Sequence, residues 1–185
     1  MMVDEKTIKG CLQGDERTHR EIYRLCAPYI YAIVKNYFAL EEDRKDAMQD
    51  VFASLFTSIK NYDRDKGSFK SWLSRLVVFQ CISIIKKTKP LFVSFSSEME
   101  ESCQDTTLEK LEKFSQHDIE KMFEMMPTGY KTIFLLNIME DYSHKEIGEL
   151  LGITPETSRS QLFRAIKWIR TNVLTDAKMV QYGLL

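Results

Sequence analysis

One stretch, from Asp141 to Thr157 (DYSHKEIGELLGITPET), constrains the fold more than any other part of the chain. It is punctuated as two helices meeting at a tight turn. Ser143 is an N-cap residue type, because its side-chain oxygen satisfies backbone N–H groups that the first helical turn leaves open. Ile147, Leu150 and Leu151 then share one face. Gly152 stands where a left-handed residue ends a helix, a conformation glycine adopts without strain. Ile153 plugs the angle between the helices. Thr154 caps the second helix, and Pro155 starts it with a preset φ.

The second helix places Leu162, Ala165, Ile166 and Ile169 on one face, and Glu156, Arg159, Ser160, Phe163, Arg164 and Lys167 largely on the other. Its N-terminal half is the part that enters a major groove in a helix-turn-helix. Thr157, Ser158, Arg159 and Gln161 carry the donors and acceptors that base reading needs; Arg suits guanine and Gln suits adenine. Arg164, Lys167 and Lys131 suit phosphates, which fix register without reading sequence. A helical hairpin that binds nothing has the same outline, but it does not require the polar outer face.

The rest of the chain also reads as helical. It has seven glycines, four prolines and no run of strict alternation long enough for a sheet. Asp15 is expected to cap a helix to about Cys26, and Pro28 to open the next. Asp43 is expected to cap a third helix to about Ile59. There Ala47, Met48, Val51, Phe52, Leu55 and Phe56 recur at helical spacing, with Asp46, Gln49 and Asp50 on the other side. A polar loop, residues 61–67, leads to Ser68 as the cap of a long helix from Phe69 to about Lys87. That helix is apolar nearly all round, which places it centrally, and Pro90 ends it. Residues 91–115 lack periodicity and read as a linker. The fold expected is all-α: two small helical domains, residues 1–90 and 116–175, joined by an acidic connector at 91–115, with a tail at 176–185. The tail is apolar enough for docking or for packing on its own domain.

Charge sorts with this division. The total is −1, from 26 basic and 27 acidic residues. Residues 60–89 carry a net +6, residues 98–124 a net −6 and residues 155–178 a net +3. Two basic segments around an acidic connector suit a protein that meets a polyanion at two places, although an ordinary solvated charge mosaic gives a similar pattern. Cys11, Cys26, Cys81 and Cys103 form no CxxC pair, and the three histidines are scattered, so no metal site is expected. The N-terminus is no secretory signal, and the apolar runs are too short to span a bilayer; a soluble, cytoplasmic protein is expected. No phosphate-binding glycine loop, dinucleotide fingerprint or nucleophile elbow is present. The chain is therefore expected not to be an enzyme and to take no cofactor and no small-molecule substrate.

Two segments resemble one family. Residues 126–170 are similar to region four of sigma factors, through Pro127, Lys131, Ser143, Glu146-Ile147-Gly148, Leu151-Gly152-Ile153, Thr157, Ser160, Leu162 and Arg164-Ala165. Residues from about 14 to 87 resemble region two. The matching pieces are Gly14-Asp15-Glu16, Ile22-Tyr23, the acidic helix Asp46-Ala47-Met48-Gln49-Asp50-Val51-Phe52, and Phe69-Lys70-Ser71-Trp72-Leu73-Ser74-Arg75. Their order and the short segment between them resemble the extracytoplasmic-function (ECF) class of the sigma-70 family.

The resemblance implies a partner set and a mechanism. Asp46, Gln49 and Asp50 would dock on the β′ clamp helices of core RNA polymerase. Residues 61–70 would hold an unpaired base of the promoter −10 element, with Asn61, Tyr62, Lys66 and Lys70 in contact and Lys86 and Lys87 on phosphates. Phe69 and Trp72 are expected to be core packing instead. The helix-turn-helix would bind the −35 element and rest on the β flap, and the linker would thread toward the RNA exit path. An anti-sigma protein is a further partner implied by the class. The chain departs from the family at Val77, Val78, Phe79 and Ser83, where Ala-Arg-Asn and a later Asp are usual, and at Gly148, where Ala is usual. Gly148 therefore implies close packing. A stand-alone helix-turn-helix regulator of duplex operators is the alternative from the residues.

Overall fold

The computed structural model describes residues 3–88, 107, 111 and 114–174. The chain divides into two compact units, Met1–Lys89 and Pro90–Leu185. Eight α-helices and no strand lie among the described residues, so the all-α expectation holds.

The first unit contains α1 (Glu5–Leu12), α2 (Glu16–Tyr37), α3 (Glu41–Ser58) and α4 (Phe69–Thr88). Its sequence punctuation works in part. Asp15 caps α2 by accepting from the Arg17 N–H at 3.0 Å. Ser68 accepts from the Ser71 N–H at 3.1 Å at the start of α4. α1 was not foreseen in the sequence; Asp4 caps it, accepting from the Thr7 N–H at 2.7 Å.

Two helix boundaries differ from expectation. Pro28 lies inside α2 and opens no new helix. An interior proline costs about 3 kcal/mol in an isolated helix. Here Ile22, Cys26, Ile30, Ile33 and Val34 form one buried stripe on both sides of it. Burying each large aliphatic side chain returns roughly 1.5–3 kcal/mol, so packing outweighs the lost backbone bond. Asp43 is likewise no cap. α3 begins at Glu41 after Leu40, which makes no side-chain cap bond. Glu41, Glu42 and Asp43 all fall in its first turn, where carboxylates meet the positive end of the helix dipole.

The core of this unit lies among α2, α3 and α4. Ile22, Ile30, Val34, Val51, Leu55, Leu73 and Val77 are fully buried. α4 is central as expected, with Val78, Cys81, Ile82 and Ile85 buried as well.

The second unit contains α5 (Gln116–Met125), α6 (Thr128–Phe134), a π-helical turn (Leu135–Met139), α7 (His144–Leu151) and α8 (Pro155–Asn172). Ser115 and Asp118 form a capping box on α5. Its core holds Met122, Ile133, Leu135, Leu136, Ile147 and Ile169. After the π turn Asp141 takes a φ of 57°, which a short polar side chain tolerates. The Asn137 amide donates to the Tyr142 carbonyl at 2.9 Å and holds the approach to α7. Nearly all of the expected linker, and the tail 176–185, lie outside the described residues. Among the described residues no helix is long and apolar enough to cross a membrane, and no cluster of metal ligands occurs.

Candidate nucleic-acid and polymerase interfaces

The turn between α7 and α8 is built as its residues require. Ser143 and Glu146 form a reciprocal capping box: the Ser143 hydroxyl accepts from the Glu146 N–H, and the Glu146 carboxylate accepts from the Ser143 N–H at 2.9 Å. Gly152 ends α7 at φ 74°, in the left-handed region. The N–H groups of Gly152 and Ile153 both donate to the Gly148 carbonyl, at 2.8 and 3.1 Å. The chain folds back so closely that a Cβ on Gly148 would lie 2.7 Å from the Ile153 carbonyl oxygen. That is the close packing implied by the missing alanine methyl. Thr154 then caps α8, accepting from the Thr157 N–H at 3.1 Å, with Pro155 at its start.

The phase of α8 corrects part of the expected reading face. Arg159 and Lys167 are exposed, and Thr157, Ser160 and Arg164 are half-buried. Ser158 is fully buried and Gln161 is 5% exposed. Ser158 shares a hydrogen bond of 2.9 Å with His144 Nδ1 at the start of α7. The buried stripe runs Ser158, Gln161, Ala165, Ile169, while Leu162 and Ile166 of the purely apolar stripe are half-buried. Lys131 also departs from expectation: it begins an unbroken buried run to Leu136, because α6 lies inside the unit against α8. Ser158, Gln161 and Lys131 are therefore buried side chains and not the surface DNA contacts expected of them.

Arg159 is paired with Glu156 at 2.7 Å, both groups well exposed. Hydrogen bonds from the Glu156 backbone N–H, then from Thr154, with the Arg159 charge, hold the Glu156 carboxyl below the usual carboxylate range. A solvated pair of this kind contributes little and is readily exchanged for a nucleic-acid contact.

In the first unit, Asp46, Gln49 and Asp50 are all exposed on α3, opposite buried Ala47, Val51 and Leu55. Asp46 and Asp50 are one helical turn apart on the same face. In the loop before α4, Asn61 and Lys66 are exposed and Tyr62 is half-buried. The Tyr62 hydroxyl donates to the Gly67 carbonyl at 3.2 Å. Its ring packs edge-on to Phe69, with centroids 5.3 Å apart, and lies 5.6 Å from Trp72. Phe69 is buried, as expected of a packing residue; Trp72 is half-buried. The Lys70 ammonium sits 5.4 Å over the Tyr29 ring, a partner the sequence did not indicate. Lys86 and Lys87 are exposed near the end of α4.

Between this loop and α1 lies an open groove of about 940 Å³. Ile8 and Leu12 line it on one side, Tyr62, Lys66 and Lys70 on the other. Arg64 of the loop pairs with Glu5 of α1 at 3.7 Å. The groove went unseen in the sequence because α1 did.

Comparison with known proteins decides what these surfaces belong to. The family model for sigma-70 region 2 matches residues 22–90, and that for sigma-70 region 4 matches residues 116–169. The RNA polymerase sigma factor SigV of Bacillus subtilis (strain 168) is 28% identical, over 95% of this chain and 98% of its own. The ECF RNA polymerase sigma factor SigW of the same organism is 23% identical, over 91% of this chain and 96% of its own. The chain belongs to the sigma-70 family, in the extracytoplasmic-function class. As an ECF sigma factor it directs transcription initiation, and proteins of this class partner with core RNA polymerase and promoter DNA. A stand-alone helix-turn-helix regulator is not favoured, since the region 2 match would have no place in it. A solved structure of CnrH in complex with the cytosolic domain of CnrY has the same fold. It is 16% identical and covers 94% of this chain and 98% of its own, at a TM-score of 0.51.

Proposed function

We propose that this sigma factor joins core polymerase through the acidic face of α3 and reads its promoter with two separate modules. Asp46, Gln49 and Asp50 dock on the β′ clamp helices, where carboxylates one turn apart meet basic groups on a facing helix. The loop with Asn61, Tyr62, Lys66 and Lys70 holds an unpaired base of the −10 element in the groove against α1. Lys86 and Lys87 hold phosphates. α8 enters the major groove at the −35 element through Thr157 and Arg159, with Arg164 and Lys167 on the backbone. The second unit rests on the β flap.

The domain limits in this reading are residues 1–90 and 116–175, with the acidic stretch 91–115 between them. The chain acts in the cytoplasm beside the polymerase and catalyses nothing itself. An anti-sigma protein is a further partner, a reading supported by the similar CnrH structure, which is a complex with the cytosolic domain of CnrY.

The observation that carries this reading is the outward display of the Asp46–Gln49–Asp50 face in a chain that also holds a capped helix-turn-helix. The test is transcription in vitro by bacterial core polymerase on a randomised promoter library. The purified chain should confer initiation on a sequence-restricted subset of templates. Initiation no different from core polymerase alone refutes it.

A further inference from the structure

α1 carries two apolar side chains that the packing of its own unit leaves uncovered. Leu12 is 51% exposed and Ile8 is half-buried. With Glu5 they stand at i, i+3 and i+7, so all three share one face of the helix. The other side does the packing, through buried Thr7 and Cys11. That side is held closely. A Cβ on Gly10 would lie 2.6 Å from Thr18 Cγ2, so α1 sits against α2 as near as a glycine allows. At the turn that follows, the Asp15 N–H donates to the Gly10 carbonyl and the Gly14 N–H to the Cys11 carbonyl, both at 3.0 Å. α1 is therefore a fixed wall, and Ile8 and Leu12 line the groove on its side.

Tyr62 and Phe69 line the other side, with Lys66 and Lys70 beside them. Glu5 meets Arg64 of the loop at 3.7 Å with one carboxylate oxygen and Lys9 at 2.6 Å with the other. All three side chains are well exposed, so these pairs add little strength; the wall is fixed by the packing at Gly10 instead. An aliphatic side and an aromatic side together fit a flat ring between them. The two lysines fit a phosphate. An apolar peptide would have to desolvate both ammonium groups, which costs more than covering two aliphatic side chains returns. A nucleotide brings its own counter-charge.

We infer that Ile8 and Leu12 of α1 belong to the base-holding site, as the aliphatic wall on which the unpaired −10 base packs. This rests on the reading of residues 61–70 as the strand-binding loop. The base is then gripped from two segments far apart in the sequence, one that carries polar and aromatic contacts and one that carries only apolar surface. An aliphatic wall makes no hydrogen bond to a base edge. α1 therefore adds hold on the extruded nucleotide and leaves the choice of base to the loop.

The test uses holoenzyme assembled from core polymerase and the full chain. The probe is a forked DNA built on the strongest sequence recovered from a randomised library by the wild-type holoenzyme. Its unpaired non-template strand is replaced by abasic nucleotides one position at a time. Leu12→Ala should weaken binding to the intact fork roughly three- to tenfold, the loss expected when an aliphatic side chain is no longer partly covered. Leu12→Met should retain fork binding. For Leu12→Ala, binding to the fully paired duplex and to core polymerase should change less than twofold, and Tm should hardly move because the residue is exposed. One abasic position should weaken the wild type more than it weakens Leu12→Ala, and the order of preference among the four bases at that position should be the same for both. Unchanged fork binding by Leu12→Ala, or parallel abasic profiles for the two proteins, overturns the inference while the loop reading stands. An equal loss on fork and duplex, weakened core binding or a large fall in Tm overturns it too, since each would give Leu12 a different role. If the wild-type holoenzyme itself gains nothing from an unpaired strand, the reading of the loop fails and the inference falls with it.

Discussion

Gly148→Ala is the substitution for which intrinsic helix preference and the observed packing disagree most sharply. Mid-helix, alanine is favoured over glycine by about 1 kcal/mol, and the family usually has alanine there. In this structure the new methyl would lie 2.7 Å from the Ile153 carbonyl oxygen. Ordinary contact begins near 3.4 Å, so the α7–α8 turn must open by about 0.7 Å. Overpacking of this kind costs roughly 1–3 kcal/mol. Because the obstacle is backbone tied by two hydrogen bonds to Gly148 itself, the upper half of that range is expected. The net effect is a destabilisation of about 1 kcal/mol or more, or a Tm fall of roughly 4–8 °C for a unit of this size. Each unit holds one tryptophan, Trp72 or Trp168. In a Trp72→Phe background, fluorescence therefore follows the second unit alone. Glu149→Ala, next door and exposed, is the control and should move Tm little. A Gly148→Ala variant with an unchanged or raised Tm would refute the packing argument.

Other outcomes follow from the same geometry. Asp50→Lys should abolish co-purification with core polymerase while leaving helicity and Tm unchanged, since the residue is exposed; normal core binding would remove α3 from the docking surface. Arg159→Ala should lose roughly 1–3 kcal/mol of discrimination at one −35 base pair, seen in binding to a panel of singly substituted promoters. Gln161→Ala, by contrast, should lower the Tm of the second unit without altering which base is preferred, because its side chain is buried. Burial pushes the Cys26 thiol up to about 11. Its folded value exceeds the unfolded one near 8.5, so folding stability is insensitive to this group below about pH 8.5 and falls as pH rises from there toward 11. At pH 8 iodoacetamide should leave the Cys26 peptide unlabelled until denaturant is added, as peptide mapping would show.

Local punctuation was the most legible part of the sequence. Ser143, Gly152, Thr154 and Pro155 each act through their own backbone neighbours, and each adopts the expected role. What depends on a distant partner was harder to read. Ser158 is polar and near a helix start, so it looked solvent-facing; His144, fourteen residues earlier, draws it inside. Pro28 looked like a helix start, but a buried stripe on both sides of it keeps α2 continuous. Phe79 looked like core because apolar residues surround it in sequence, yet helical phase turns it outward. α1 is short and mostly polar, and no periodicity announced it or the groove it helps to form.

The central claim is that two modules of one chain hold separate stretches of the same promoter while bound to polymerase. Site-specific photo-crosslinkers at Lys66 and at Arg159 test it most directly, in holoenzyme on a promoter recovered by selection. The account predicts that the Lys66 position crosslinks to the unpaired strand of the −10 element and the Arg159 position to the −35 duplex, both only when core polymerase is present. Crosslinks from both positions to a single element, or equal crosslinking without core polymerase, would contradict it.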